Sequence, residues 1–421
     1  MDKLSTIMTA CTSGDLFLLE ELSHKSGFLE LYQNEDLYCT PFWLACRYGH
    51  LHIAKWFAHH PLLELHINMN APSQGTTPLQ EACRQGHLDV VQWLYLQLTL
   101  FGDVYPNGLH EAVFGKHLPI IEWLCANNAN INHKSGHESD TPLHVACRIG
   151  SLPIVKRLHS LGAFTNLYNH EGNTPLLLAC YHGFRTIVQY LHSYGANLHL
   201  TNYYDESAVW LTCESGNLYL LKWLHEHHAS LHKSDRFGRL PLSRAAYRGH
   251  THIIEWLAPF VNINHRDFTG DTAMIEACRE GHLECAKYLY SIGASIQIPD
   301  NLLHDPLYYA CEWNHTRVVS WLCSLGVSYC PYRIQVSSDA VQEILFFHGA
   351  FYHDGILTFI SPALKKILFR HYRQRQLPLQ KNIIGFDAFM DSLPLCSDVG
   401  NLIGEYTGIV RGPAWSYLLD L

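Results

Sequence analysis

The sequence predicts a mainly α-helical solenoid of stacked helix–turn–helix repeats. Three observations predict it: a small residue recurs about every 33 residues, a threonine–proline pair often precedes it at a fixed distance, and a glycine usually follows it at a fixed distance. The chain of 421 residues is longer than most single compact domains. A repeat array escapes that size limit because each repeat packs only on its neighbours.

The small residue marks ten repeats, and it is cysteine in eight of them. The ten positions are Cys11, Cys46, Cys83, Val113, Cys147, Cys180, Cys213, Ala246, Cys278 and Cys311. We interpret cysteine here as a small hydrophobe that lets neighbouring helices approach closely. Most of the 14 cysteines therefore need neither redox chemistry nor a metal to explain them.

Each repeat begins with a short predicted helix. A proline stands five residues before the small residue, as in Pro142 and Pro175, and threonine often precedes it. Threonine can cap a helix N-terminus, and proline suits the first helical turn. A glycine such as Gly150 stands three residues after the small residue, where it can end the helix in a left-handed conformation. The predicted first helix is thus roughly eight residues long.

A second predicted helix follows the glycine, because apolar residues such as Leu88, Val91 and Leu94 recur at helical spacing. Ten residues after the small residue, most repeats carry a large aromatic residue that we expect to pack between repeats and not to form a binding ladder. These aromatics are Trp56, Trp93, Trp123, Tyr190, Trp223, Trp256, Tyr288 and Trp321.

The segments TPLHVACRIGSLPIVKRLHSLGA at 141–163 and TPLQEACRQGHLDVVQWL at 77–94 resemble the ankyrin repeat. The resemblance covers about residues 5–330, and a degenerate eleventh repeat at 340–350 extends the predicted array to 1–350. It implies helix pairs joined by β-hairpin fingers, with partner proteins bound by the fingers and by the concave wall of first helices. Departures at Gly108, Lys116 and Asn314 leave the local helix ends open.

The resemblance also selects candidate protein-binding residues on the fingers and first helices of the middle repeats. Aromatic residues and arginine are the commonest interface hot spots, and they are frequent at these places. The candidates are Tyr168, Tyr181, Tyr203, Tyr204, Asp205, Arg236, Phe237, Tyr247, Arg248 and Phe268. The alternative is that each fingertip ring lies sideways against its neighbouring finger.

Residues 351–421 are predicted to be a helical cap over the last repeat, with a first helix at Leu357–Gln376. Alternatively, LPLCSDVGNLIGEY at 393–406 resembles F-box-like segments of some viral ankyrin proteins, which recruit a ubiquitin-ligase adaptor. The function predicted is a scaffold or adaptor, with a ligase substrate receptor or a host-directed effector as alternatives.

Other classes of function lack support in the sequence. There is no G-x-x-x-x-G-K-[ST], G-x-G-x-x-G or G-x-S-x-G segment, so we expect no enzyme and no cofactor. There is no C-x-x-C or H-E-x-x-H pair, and neighbouring histidines such as those at 225–228 do not point together on a helix, so we expect no metal. The net charge of −9 argues against nucleic acid as a partner.

The sequence also bears on where the chain acts. No apolar run is long enough for a membrane span, and the N-terminus lacks the basic and apolar regions of a secretory signal. We therefore expect a monomer in the cytoplasm that binds one or more proteins, which the sequence does not identify. The nucleus is an alternative because six basic residues lie within 365–381.

Overall fold

The computed structural model describes residues 3–24, 40–59, 76–100, 108–327, 329–333, 341, 344–345, 350–353 and 356–359. The chain divides into two compact parts, an N-terminal half (Met1–Tyr204) and a C-terminal half (Asp205–Leu421). Helix pairs dominate both halves, as the repeat pattern predicts.

The described part of the N-terminal half contains six helix pairs. Their bounds are α1 (Lys3–Ser13), α2 (Leu16–Ser23), α3 (Pro41–Arg47), α4 (Leu51–His59), α5 (Pro78–Gln85), α6 (Leu88–Leu100), α7 (Leu109–Phe114), α8 (Leu118–Ala126), α9 (Pro142–Arg148), α10 (Leu152–Ser160), α11 (Pro175–Tyr181) and α12 (Arg185–Ser193).

The described part of the C-terminal half adds four helix pairs and a three-stranded sheet. The helices are α13 (Ala208–Ser215), α14 (Leu218–Glu226), α15 (Pro241–Tyr247), α16 (Thr251–Leu257), α17 (Ala273–Arg279), α18 (Leu283–Ser291), α19 (Pro306–Glu312) and α20 (Thr316–Ser324). A 3₁₀ turn (Ala258–Phe260) follows α16. The strands are β1 (Tyr329–Arg333), β2 (Ala350–His353) and β3 (Ile356–Phe359), in the antiparallel order β1-β3-β2.

First helices begin as the threonine–proline pattern predicts. At α9 the Thr141 hydroxyl accepts a hydrogen bond from the His144 backbone N–H, and Thr141 N–H donates to His144 Nδ1 at 3.2 Å. This reciprocal capping satisfies two of the donors that a helix start leaves open. The other ring nitrogen, Nε2, donates to the Asn173 carbonyl oxygen at 2.9 Å, so the same histidine also joins two repeats.

First helices also end as predicted, including where glycine is absent. Gly249 has a φ of 75°, Lys116 has 64° and Asn314 has 59°. All three lie in the left-handed region that reverses the chain after a helix. The departures from glycine therefore leave the helix–turn–helix intact.

A histidine at the start of a second helix fastens a repeat to the one before it. His282 donates from Nε2 to the Tyr247 carbonyl oxygen at 3.0 Å, and its ring lies over Gly249, where a Cβ would come within 2.7 Å of Nδ1. His50, His87, His117, His250 and His315 make the same kind of bond to the preceding repeat. These histidines are structural, as expected, and Phe184 takes the place against Gly150.

The repeat register is confirmed by burial, because all ten small residues are fully buried. Burial raises the pKa of three of these thiols, those of Cys147, Cys213 and Cys278, above the ordinary range. The second-helix aromatics are half-buried and pack between repeats. Trp123 meets Tyr95 edge-on with ring centroids 5.1 Å apart, and Trp321 meets Tyr290 in the same way at 5.9 Å.

The C-terminal region departs from the expected helices. The helix predicted from Leu357 is wrong over residues 357–359, which lie in β3 and pair with β2 from His353↔Ile356 to Ala350↔Phe359. The dipeptide Asp354-Gly355 favours two-residue hairpin loops and is the sequence signal for this pairing. The described residues of the degenerate repeat at 341 and 344–345 are helical. The rest of the predicted cap, the basic stretch and the F-box-like segment lie outside the described residues.

Candidate functional site

Five successive described fingers are each held by an asparagine or aspartate at the start, namely Asn169, Asn202, Asp235, Asp267 and Asp300. Asn169 Oδ1 accepts from the backbone N–H groups of Glu171 and Asn173 at 3.1 and 2.9 Å. Asp235 Oδ1 accepts from Phe237 and Arg239 in the same way, at 3.0 and 2.9 Å. These side chains bond to the backbone two and four residues on, which fixes the shape of the tip.

Fingers of the N-terminal half are also tied to each other. The His170 N–H donates to the Glu138 carbonyl at 2.8 Å, and the Tyr203 N–H donates to the Glu171 carbonyl at 3.0 Å. The Tyr203 ring lies against Gly172, where a Cβ would come within 2.6 Å of the ring. It also stacks on Tyr168, with centroids 6.3 Å apart. The rings do lie against neighbouring fingers, as the alternative interpretation stated.

That packing leaves much of the aromatic surface in water. Tyr203 is 64% exposed, Tyr204 is exposed, and Tyr168 is half-buried. Tyr181, the last residue of α11, is exposed and meets His182 edge-on at 5.0 Å. We call these four tyrosines the N-terminal aromatic surface.

The C-terminal half repeats the finger arrangement. The Phe268 N–H donates to the Phe237 carbonyl at 3.0 Å, and the Phe268 ring lies against Gly238. Phe268 is nevertheless 73% exposed. The Arg236 and Arg239 guanidinium groups lie 4.8 and 4.9 Å from the centroid of the Phe237 ring, within the range of cation–π attraction.

The first helices of this half place arginines around a buried carboxylate. Glu214 is buried and accepts from Arg244 and from Arg248, whose Nε lies 2.6 Å from Oε1. Burial acts to raise the pKa of Glu214, but the hydrogen bonds and charges of the two arginines outweigh it and hold the pKa below its ordinary value. Arg244 lies 4.7 Å from the Tyr247 ring, so the network orients the tyrosine.

The other predicted residues of this half are solvent-facing. Arg236 and Arg248 are exposed, and Tyr247 is half-buried. Asp205 is exposed and has a φ of 59°, the left-handed region that most residues avoid. We call Asp205, Arg236, Phe237, Tyr247, Arg248 and Phe268 the C-terminal aromatic–arginine surface.

Exposed aromatics elsewhere on the first helices were missed by the prediction. Phe114 is 57% exposed beneath the Arg84 guanidinium at 5.2 Å, and Trp313 is 60% exposed at the end of α19. Tyr48 is exposed at the end of α3. All three stand one or two residues after the small residue, a position that could have been searched in every repeat.

Metal-ligand spacing within the described residues occurs in one carboxylate cluster. Asp267, Asp271 and Glu276 each offer an oxygen, and the three oxygens lie within 4.8 Å of one another. Burial raises the pKa of Glu276 to about 7 and also raises that of Asp271. The histidines at 225–228 are engaged otherwise, since His227 stacks on Trp223 and His225 meets Trp256.

Comparison with protein families matches this chain to a model of ankyrin repeats in three copies, over residues 7–101, 109–202 and 209–300. The matches cover about two thirds of the chain, in agreement with the helix pairs and fingers. The chain belongs to the ankyrin-repeat family. No curated protein sequence matches it.

The family gives a general role. Ankyrin repeats serve as protein-binding scaffolds and are usually non-catalytic, and no enzymatic domain was found in the chain. Within the described residues, no helix is long and apolar enough to cross a membrane.

Proposed function

We propose that this chain is a scaffold or adaptor that binds partner proteins through its fingers and the exposed ends of its first helices. The observation that carries the proposal is the exposure of large aromatic rings on rigid fingers. Tyr203 and Phe268 are 64% and 73% exposed, although exposed aromatic area is costly in water. A partner that covers these rings removes that cost.

The fingers are suited to binding because they are preorganised. The Tyr203 and Phe268 backbone N–H groups each donate to the preceding finger, and each ring rests on a glycine of that finger. Side chains that are already ordered lose little conformational entropy when a partner binds. Exposed rings in fixed positions are therefore favourable anchors for an interface.

Arginines extend the surface in the C-terminal half. Arg236 and Arg248 are exposed beside Phe237 and Tyr247. A planar guanidinium can stack on an aromatic ring and still donate hydrogen bonds to a carboxylate. This half is thus suited to a partner that offers both apolar and acidic groups.

The test begins with affinity capture from cells and mass spectrometry, followed by binding measurements with the purified partner. Tyr203→Ala and Phe268→Ala are compared with Phe17→Ala and Tyr219→Ala, whose rings are 78% and 72% exposed on the second helices α2 and α14. At least one finger variant should weaken binding by about 2 kcal/mol or more, and neither control should. Equal affinity of all four variants for every purified partner would contradict the proposal.

A further inference from the structure

In the C-terminal half, two of three successive finger aspartates have a basic side chain bonded to or close to Oδ2. The aspartate between them does not. Asp235, Asp267 and Asp300 start successive fingers and use Oδ1 to shape the turn. Asp235 Oδ2 is bound by Arg239, through Nε and Nη2 at 2.7 Å each. Asp300 Oδ2 accepts from the Tyr309 hydroxyl at 2.7 Å and lies 3.6 Å from His304 Nδ1.

In two of these fingers the residue four positions on is basic, namely Arg239 or His304. In the finger between them that residue is Asp271. Asp267 Oδ2 consequently has no hydrogen-bond donor or cation among the described residues. An acid occupies the position at which its neighbours place a group that neutralises the finger aspartate.

Asp271 itself is incompletely satisfied. It is 7% exposed, and its Oδ2 accepts from Arg279 Nη2 at 2.7 Å. Its Oδ1 is buried and has no hydrogen-bond partner within the part of the chain described. A buried carboxylate oxygen without a donor is costly, so this atom calls for a ligand.

Glu276 completes the cluster. It is 5% exposed and accepts from Arg279 Nη1 at 2.9 Å through Oε2. Arg279 is the one cation bonded to these groups among the described residues, and it bonds two of the three carboxylates, Asp271 and Glu276. Among the described residues, Asp267 and Asp271 alone outnumber this one bonded cation, and the ionised fraction of Glu276, whose pKa is raised to about 7, adds to the local excess of negative charge.

We propose that Asp267, Asp271 and Glu276 bind a hard divalent cation, such as Ca²⁺, Mg²⁺ or Mn²⁺, at the base of the finger formed by residues 267–271. Three carboxylate oxygens within 4.8 Å of one another match the oxygen ligands that these ions take. Water supplies the remaining ligands, as is usual for ions bound by few carboxylates. The ion would join finger residues 267 and 271 to α17 through Glu276, which stabilises the repeat.

The chain supplies a matched variant. Asn169 and Asn173 hold the corresponding finger positions in the N-terminal half, and Asn169 Oδ1 accepts the same two backbone bonds as Asp267 Oδ1. Asp267→Asn combined with Asp271→Asn therefore keeps the finger and removes two charges. Glu284→Gln is the control, because Glu284 is an exposed carboxylate on α18 of the same repeat.

The full chain is stripped with a chelator and titrated separately with CaCl₂, MgCl₂ and MnCl₂ at constant ionic strength, by calorimetry and thermal melting. We expect one of the ions to bind at about one per chain and to raise the melting temperature by roughly 3 °C at tenfold excess over Kd. The double variant should lose about tenfold or more in affinity and melt no lower than the wild type in chelator. Glu284→Gln should bind as the wild type does.

Two results would overturn the proposal. One is that none of the three ions binds the wild-type chain. The carboxylate cluster would then be neutralised by a basic side chain of a partner or by a proton shared between carboxylates. The other is that the double variant binds the ion as tightly as the wild type. The wild-type titration decides the first point even if the double variant folds poorly.

Discussion

Single residues in this protein show how one side chain can be explained by its place in the repeat. Cys147, Cys180 and Cys213 are fully buried at the contact between first helices, as the spacing of small residues predicts. What spacing could not predict is charge compensation around Glu214, because Arg244 and Arg248 come from the next repeat, 30 and 34 residues away. A sequence pattern gives positions, whereas the pairing depends on side-chain geometry.

The buried thiols should be inert. Burial favours the neutral thiol over the reactive thiolate and also blocks access by reagents. We expect Cys147, Cys180 and Cys213 to react with a thiol reagent about a hundredfold more slowly in the native protein than in denaturant. Mass spectrometry after timed labelling measures this, and the half-buried Cys125 serves as the comparison that should label first. Native labelling of all four at one rate would show that the repeat register is wrong.

The Glu214 carboxylate should contribute measurably to stability. Its pKa is held below the ordinary value, so its contribution is present above about pH 4.3 and is lost as the pH falls through the folded-state pKa. Glu214→Gln should lower the free energy of unfolding at pH 7 by about 2 kcal/mol, because two arginines lose their anion. Urea denaturation at pH 7 and pH 3.5 tests this, with the exposed Glu226→Gln as control. A difference that does not shrink at low pH would contradict the assignment.

At the scale of elements, most helices could be predicted because each carries its own start and stop signals. Threonine caps, first-turn prolines and left-handed helix ends lie where the pattern places them. The pairing of β2 and β3 was missed because a short, mostly apolar segment such as Ile356–Phe359 fits a helix or a strand equally well. The short fingers were predicted from the resemblance to ankyrin repeats. Whether their aromatic rings bind a partner or lie against the neighbouring finger was left open.

One of the histidines that join helix pairs, His250, should make stability depend on pH. Burial lowers the pKa of His250 despite its bond to the Glu214 carbonyl and the nearby Glu214 charge, with His252 and Arg248 also acting to lower it. Below about pH 6.5, His250 therefore binds a proton more readily in the unfolded chain than in the folded chain. The free energy of unfolding falls as the pH falls below that value.

Replacing this histidine should reduce the effect. His250→Phe imitates Phe184, which packs on Gly150 in the corresponding place. We expect a smaller drop in melting temperature between pH 7.5 and pH 5.5 for the variant than for the wild type. Thermal melting followed by circular dichroism measures the drop, and His199→Phe, at an exposed histidine that is part of a loop, is the control. An identical drop in all three proteins would refute the idea.

At the scale of the whole molecule, the repeats and their number could be predicted, and the end of the array at residue 350 stays a prediction. The last repeat is followed by a sheet in which β3, the middle strand, pairs with β1 and β2. The predicted boundary between 350 and 351 falls inside β2. The acidic cluster could not be predicted from the sequence, because it is recognised only by comparing the hydrogen-bond and ion-pair partners of successive finger aspartates in the structure.

Two truncations separate the sheet from the residues after it. Deleting 351–421 removes β3 and all of β2 except Ala350, which leaves β1 unpaired, whereas deleting 360–421 keeps all three strands. If residues 351–421 cap the array, both deletions should lower the melting temperature, by about 2 °C or more, and the longer deletion should lower it further and reduce solubility. Unchanged melting of both proteins would contradict the cap prediction and favour a separate role for that segment.

The rings that rest on glycines of the preceding finger have a consequence for how such a chain can change by recombination. Tyr203 fits Gly172, and Phe268 fits Gly238, so the compatible pair is divided between two successive repeats. A duplicated or transplanted repeat carries the ring of one ring–glycine pair and the glycine of another. If the residue it meets in place of a glycine has a Cβ, that Cβ would overlap the ring. Exchange of repeats between positions, or between related proteins, should therefore succeed when the breakpoints leave these pairs together and fail when they divide them.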